Sequence, residues 1–182
     1  MADQFRGEQI SFEWAKEQAR ERNDEKAAEA LAGLCFPDLN TSGKEWIDYM
    51  TKQRIYVNKF GGGTTRDIRG MWPLVKMVFK AREYTIGDKL NFMNGGMFSL
   101  EHMWNEVIQT NLFNETDSIK VPVYIFHGKH DYTTPYSVAK EFFNQLKAPQ
   151  KEYFSFENSA HSPVMEEVEK FNSIVKEITQ EH

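Results

Sequence analysis

Hydrophobic and polar positions alternate in two different ways along this 182-residue chain, with the change near residue 118. Before it, apolar residues recur at helical spacing. Ser11 is read as the N-cap of a helix ending near Arg22, and Asn23 or Asp24 as the cap of a second through Ala27, Ala28, Ala30 and Leu31. Gly33 to Asn40, which contains Pro37, reads as a connector. Ser42 and Glu45 then have the spacing of a capping box, opening a helix whose Trp46, Met50, Val57 and Phe60 mark one face and which Gly61 to Gly63 stop. Trp72 to Ala81, Thr85 to about Met93, and a segment from Ser99 through Met103, Trp104, Val107 and Ile108 predict three more helices. Asn94, Gly95 and Gly96 separate the last two.

The pattern after residue 118 is different. Val121 to Phe126 is a short apolar run rich in β-branched and aromatic residues, and Lys151 to Glu157 reads as a second strand. Between them Thr134 is a candidate N-cap and Pro135 a first helical residue, with Val138, Ala139, Phe142, Phe143 and Leu146 at helical spacing. Strand, helix and strand within about forty residues predict a βαβ unit, with parallel strands joined by a right-handed crossover. Ser162 and Pro163 open a final helix lined by Val164, Val168, Phe171, Ile174, Val175 and Ile178.

That topology carries a chemical consequence. Asp131 follows the first strand and His161 the second, and in parallel neighbours those C-terminal ends share the sheet edge where open α/β sheets bind ligands. An acid that fixes an imidazole's tautomer and stabilises its charged form supplies two members of a hydrolytic triad.

Composition narrows the partners. With 27% charged and 40% hydrophobic residues and no apolar run near eighteen residues, the chain is expected to be globular, without a membrane span. A net charge of -5 argues against nucleic acid and anionic membrane surfaces. The start, Met1 to Gly7, is polar with no apolar stretch behind it, and there is a single cysteine, Cys35; both predict a reducing, cytoplasmic location. Neither a cofactor nor a metal is expected.

The two motifs, H-G-K-H-D-Y-T-T-P from His127 and E-N-S-A-H-S-P from Glu157, resemble the C-terminal portion of α/β-hydrolase-fold serine hydrolases, particularly the proline-iminopeptidase-like branch. The resemblance implies that Asp131 and His161 are the second and third triad members. It also implies that residues 1–118 form the helical cap and 119–182 the end of the hydrolase core. The fold class that follows is α/β: a helical cap region, then an incomplete parallel sheet.

One departure stands against that match. Members of the family carry their nucleophile in G-x-S-x-G on a strand-to-helix turn, and this sequence contains no such motif. Two parallel strands also leave both sheet edges without partners. The expectation is therefore a C-terminal portion of an ester- or amide-cleaving, aminopeptidase-like hydrolase, inactive alone, with a small-molecule or peptide substrate only in the complete enzyme. Its partner would be a complementing N-terminal polypeptide. The alternative is a non-enzymatic module, self-associating as a homodimer or acting as one half of a split protein.

Other residues have plainer readings. His127 and His130 share a loop with Asp131, but their spacing matches no recognised metal-ligand pattern, so His127 is read as closing a strand and His130 as lying at the surface. Cys35, followed by Phe36 and Pro37, is read as a small core or connector residue. Gly61 to Thr65 lacks the ending of a phosphate loop and is read as a helix stop and mobile loop. Trp46, Trp72, Phe92, Met93, Met97, Phe98, Met103 and Trp104 are assigned mostly to the core, with some available to line a pocket.

Overall fold

The computed structural model describes residues 1–67 and 72–180, apart from the side chains of residues 72–74 and 93. Among the described residues six helices come first: α1 (Gln4–Glu21), α2 (Glu25–Ala32), α3 (Gly43–Lys59), α4 (Trp72–Lys80), α5 (Ile86–Gln109) and the single turn α6 (Leu112–Glu115). The α/β part follows as β1 (Val123–Gly128), α7 (Tyr136–Gln145), β2 (Lys151–Phe156), α8 (Pro163–Glu166) and α9 (Val168–Gln180).

The first helix starts earlier than its sequence suggests. Asp3 caps α1 by accepting the Arg6 N–H at 3.0 Å, so Ser11 sits in the helix interior. There its hydroxyl is fully buried and accepts hydrogen bonds from Gln53 Nε2 and Arg54 Nη1, at 2.9 and 3.1 Å. Capping signals are only local, and a buried partner on another helix overrides them. Asp24 caps α2, and the Ser42–Glu45 capping box opens α3 with both reciprocal bonds present.

The α3 face marked by Trp46, Met50, Val57 and Phe60 is buried. It forms one cluster with Phe12, Ala15, Leu31, Trp104 and Ile108 from α1, α2 and α5. Each large side chain removed from water there contributes about 1.5–3 kcal/mol. Trp46 is the centre of this cluster. Its ring meets Phe36 and Tyr49 edge to face at 5.6 and 5.8 Å, and its indole N–H donates to the Asp38 carbonyl at 3.1 Å.

In place of the two helices expected around Asn94–Gly96, α5 runs unbroken for 24 residues. A capping box at Thr85 and Asp88 fixes its start. Two interior glycines cost only about 1 kcal/mol each relative to alanine, too little to end a helix so well begun. Only its C-terminal part joins the core. Ile86, at 78% exposure, and Leu90 and Phe98 stand open to solvent. Phe92, Met97 and Met103 are also exposed, contrary to the core assignment made for them, while Trp46 and Trp104 conform to it. The side chains of Trp72 and Met93 lie outside the described residues.

The strands pair in parallel, Val123 against Lys151 through Gly128 against Phe156. They form a two-stranded sheet, with α7 packed on one face and α9 on the other. Tyr153 and His127 point toward α7, where Tyr153 meets Phe143 and Tyr136 at 5.2 and 5.5 Å. Phe126 and Phe156 point the other way, packing on Phe171 of α9 at 4.9 and 6.3 Å. The expected final helix is broken into α8 and α9 at Glu167. The break has a cause in the loop before it. Glu167 Oε2 accepts from Asn158 N and Ser159 Oγ, at 3.0 and 2.7 Å, and Glu166 Oε2 accepts from Ala160 N at 2.8 Å.

Candidate active site at the paired strand ends

The two loops after β1 and β2 meet because both strands end on the same side. Gly128 closes β1 where no other residue fits: a Cβ there would lie 1.9 Å from the Ala160 carbonyl oxygen and 2.4 Å from that of Ser159. His130 N donates to the Ser159 carbonyl at 3.0 Å, joining the loops directly. His130 itself is half-buried, deeper than the surface position expected for it.

The glycine-rich segment after α3, read as a mobile loop, is instead a bracket for both. Tyr132 N donates to the Gly62 carbonyl at 2.9 Å, and His161 N to the Gly63 carbonyl at 3.2 Å. Gly62 lies against the Trp14 ring, which stacks on Tyr132 at 4.0 Å and nearly parallel, so a side chain at that position would collide with the contact it supports. The sequence signal was present, since three consecutive glycines permit close backbone approach, but their partners are seventy and a hundred residues away.

Asp131 is buried, and its carboxylate is satisfied on every side. Oδ1 accepts from the Thr133 and Thr134 backbone N–H groups, each at 2.8 Å. Oδ2 accepts from the Thr134 hydroxyl at 2.7 Å and from His161 Nδ1 at 2.8 Å, and lies 3.1 Å from His127 Nε2. Thr134 therefore serves Asp131 instead of capping α7, which begins after Pro135 with no side-chain cap.

Burial alone would push the Asp131 carboxyl up. Hydrogen bonds from His127 and His161, the charge of His161 and the Thr134 N–H outweigh it and hold the group well below the usual carboxylate range. His161 is raised, chiefly by its hydrogen bond to Asp131, against desolvation and the repulsion of Arg54 and the amino terminus. With Nδ1–H donated to the carboxylate, the Nε2 lone pair is the reactive one. No hydrogen bond occupies it among the described residues.

His127 is the residue that the sequence undervalued. It is the next-to-last residue of β1, and its buried ring also places Nε2 2.9 Å from the Thr134 carbonyl and 3.1 Å from Asp131. Both neighbours only accept, so Nε2 carries the hydrogen and ties the strand to the Asp131 turn. A histidine four residues before the aspartate was the available clue. Cys35 lies exposed in the connector. Among the described residues no group of three or more His, Cys, Asp or Glu is arranged to hold a metal ion.

His161, Thr133 and Thr134 form one edge of a cavity of about 1010 Å³. Its other walls come from α3 and α5, including Met50, Arg54, Met97, Leu100 and Trp104. A carboxylate-oriented imidazole opening into a cavity of that size can accept a proton from a bound hydroxyl and return it to a leaving group. No helix among the described residues is long and apolar enough to cross a membrane.

A family profile described as serine aminopeptidase, S33, matches residues 101–168. A probable aminopeptidase, YbaC, from Bacillus subtilis is 32% identical over 168 residues, covering 92% of this chain and 52% of that protein. The AB hydrolase superfamily protein YisY from the same organism is 39% identical over 69 residues, 38% of this chain and 25% of its own length. An esterase from Exiguobacterium antarcticum superposes with a TM-score of 0.43 at 19% identity, over 76% of this chain and 47% of that one. The chain thus spans about half the length of YbaC.

Proposed function

We propose, from the premise that the chain belongs to the α/β-hydrolase family, that it supplies the acid and base of an acyl-transfer site that cleaves an ester or amide bond. The observation that carries this reading is the 2.8 Å contact between Asp131 Oδ2 and His161 Nδ1, with His161 among the residues that line the cavity. Residues 1–118 then act as the cap and 119–182 as the C-terminal portion of the core.

In the complete site a hydroxyl nucleophile attacks the substrate carbonyl while His161 Nε2 takes its proton. Asp131 stabilises the imidazolium, which passes the proton to the departing amine or alkoxide, and water then releases the acyl group. The family's G-x-S-x-G turn would supply the nucleophile and part of the oxyanion hole, and the sequence has no such turn. The chain by itself is therefore expected to be inactive. The names of the matched relatives favour an amidase of the aminopeptidase kind.

Fluorophosphonate treatment tests the assignment. The chain alone should form no stoichiometric serine adduct. Mixed with a polypeptide carrying a hydrolase core up to its cap, it should yield labelling and turnover that the His161→Ala variant abolishes. A stoichiometric adduct on this chain alone would overturn the division of labour.

A second reading has its own support. The two strand edges without partners among the described residues, and the exposed Ile86, Leu90 and Phe98, favour a module that binds a second copy or a complementing polypeptide. A homodimer is the preferred form, and a monomeric mass in solution would remove it.

A further inference from the structure

We infer that Trp14 is a positioning residue of the acid–base pair: its indole holds the Gly62–Gly63 segment and Tyr132 together, and so fixes the spacing between Asp131 and His161. This rests on the hydrolase reading above and adds a residue of the helical region to that site.

The spacing is set by one peptide unit. Gly62 and Gly63 present consecutive carbonyls, the first taking Tyr132 N at 2.9 Å and the second His161 N at 3.2 Å. Consecutive residues across a trans peptide lie about 3.8 Å apart, so a short rigid step joins the loop of the acid to the loop of the base. Asp131 directly precedes Tyr132. The His161 side chain is 41% exposed, so packing does not hold its ring, and the ring follows its backbone. The margin is narrow: Asp131 Oδ2 and His161 Nδ1 are 2.8 Å apart, and a slip of less than about 1 Å ends the hydrogen bond.

Both ends of the segment are tied. Asn58 Oδ1 accepts Thr64 N at 3.2 Å, and Arg66 N donates to Glu166 Oε1 at 2.6 Å, while the other oxygen of Glu166 takes Ala160 N at 2.8 Å. Where the segment meets the Asp131 loop, Trp14 supplies the contact. A Cβ on Gly62 would lie 2.6 Å from the Trp14 ring and 3.1 Å from Tyr132 Cβ, so the indole lies against the glycine backbone. The same indole stacks on the Tyr132 ring, with centroids 4.0 Å apart and planes 9° from parallel. Tyr132 is thus held twice, by its N–H on Gly62 and by its ring on Trp14. Trp14 is in turn packed against the helical cluster around Trp46, so the geometry of the pair depends on α1. Without the indole, a single backbone hydrogen bond, for which water competes, would be left to hold Tyr132 on Gly62.

Proton NMR of the full chain tests this through the His161 ring, assigned by comparison with His161→Gln. Trp14 carries no charge, and substituting it leaves unaltered the charged groups that act on His161, namely Asp131 after β1, Arg54 of α3 and the amino terminus. A change in the titration therefore reports geometry. In the unaltered chain the ring should titrate above about 6.5 and show a low-field Nδ1 proton shared with Asp131. Trp14→Ala should move the titration toward that value by at least about half a pH unit and weaken the Nδ1 signal. Trp14→Phe, which keeps a ring over Gly62 and Tyr132, should restore most of both. Tyr132→Leu, which leaves Trp14 in the helical cluster, should reproduce the loss and add little to Trp14→Ala in the double variant; it decides alone if Trp14→Ala does not fold. A lower urea midpoint with the His161 titration and Nδ1 proton unchanged would make Trp14 merely structural, which overturns the inference and leaves the hydrolase reading intact. A ring that titrates like a free imidazole in the unaltered chain would instead overturn both.

Discussion

The helical region and the α/β region solve the problem of burial in opposite ways. In the helical cluster around Trp46, apolar packing is tight while polar satisfaction is incomplete. Trp46, Leu31 and Val57 are fully enclosed, yet Glu8 Oε2, Tyr49 Oη and Trp104 Nε1 are buried without a hydrogen-bond partner. Around the strands Tyr153 Oη is buried without a hydrogen-bond partner as well, but the emphasis shifts from apolar cover to polar contacts. Asp131 receives five donors, whereas α9 buries none of its residues fully and leaves Val168 and Val175 exposed. One region is held by its hydrophobic cluster, and the other owes its order to a polar knot at one end of a thinly covered sheet.

The largest expected effect tests the first half of that contrast. Trp46→Ala should destabilise the helical region by about 3–5 kcal/mol, read as a lower urea midpoint by far-UV circular dichroism. A loss below about 1 kcal/mol would show that the cluster is not what holds the helices.

The second half makes a ranking. Asp131→Ala leaves the Thr133 and Thr134 N–H groups and the Thr134 hydroxyl without their acceptor, and should cost about 3 kcal/mol. Phe171→Ala removes a half-covered ring from the Phe126 and Phe156 contacts and should cost about 1–2 kcal/mol, less than a fully buried aromatic. Hydrogen exchange at the β1 and β2 amides measures both. If Phe171→Ala proves the more damaging, apolar cover and not the polar knot sustains the strands.

A smaller effect follows from pH. Asp131 is held down in the folded chain, so its contribution is present above the unfolded value of about 3.9 and is lost as pH falls through the folded one. His161 is raised, so its contribution is full below about 6.5 and is lost as pH rises through its folded value. Thermal stability of the α/β region should therefore level off between about pH 4 and 6.5 and decline on either side. The alkaline decline is modest because the His161 side chain is 41% exposed. In Asp131→Asn the His161 titration should move back toward that of a free imidazole and the alkaline decline should vanish; its persistence would assign it to another group.

How much of this was legible depends on how far apart the cooperating residues lie. The βαβ unit and the meeting of Asp131 with His161 follow from local periodicity plus the rule that parallel strands end together, so thirty residues of separation were no obstacle. The capping box of α3 and the face of Trp46, Met50, Val57 and Phe60 were equally local. What escaped depends on distant backbone. The glycine bracket at Gly62 and Gly63 acts on Tyr132 and His161, and Ser11 gives up its capping signal to Gln53 and Arg54. Neither partnership leaves a period or motif in the sequence. His127 was misjudged for another reason: its ring serves Asp131 from inside a strand, where an alternating pattern reports only that it is covered.

The break expected at Asn94–Gly96 provides the smallest and cleanest test of the contrast. Glycine in a helix interior is unfavourable because the unfolded backbone has more freedom to lose, not because of anything it touches. At Gly95 and Gly96 nothing lies within 4 Å of where a Cβ would stand, and both are exposed within α5. Gly95→Ala and Gly96→Ala should each stabilise the chain, by about 0.5–1 kcal/mol if α5 unfolds together with the cluster around Trp46 and Trp104. Because the exposed turns before Leu100 add little to that cluster, they can also open separately. In that case the global midpoint stays fixed and the gain appears only as slower amide exchange between Ile86 and Ser99. A shift of the global midpoint would extend the tightly packed helical region over the whole of α5, while a purely local gain would end it where the burial of Trp104 begins.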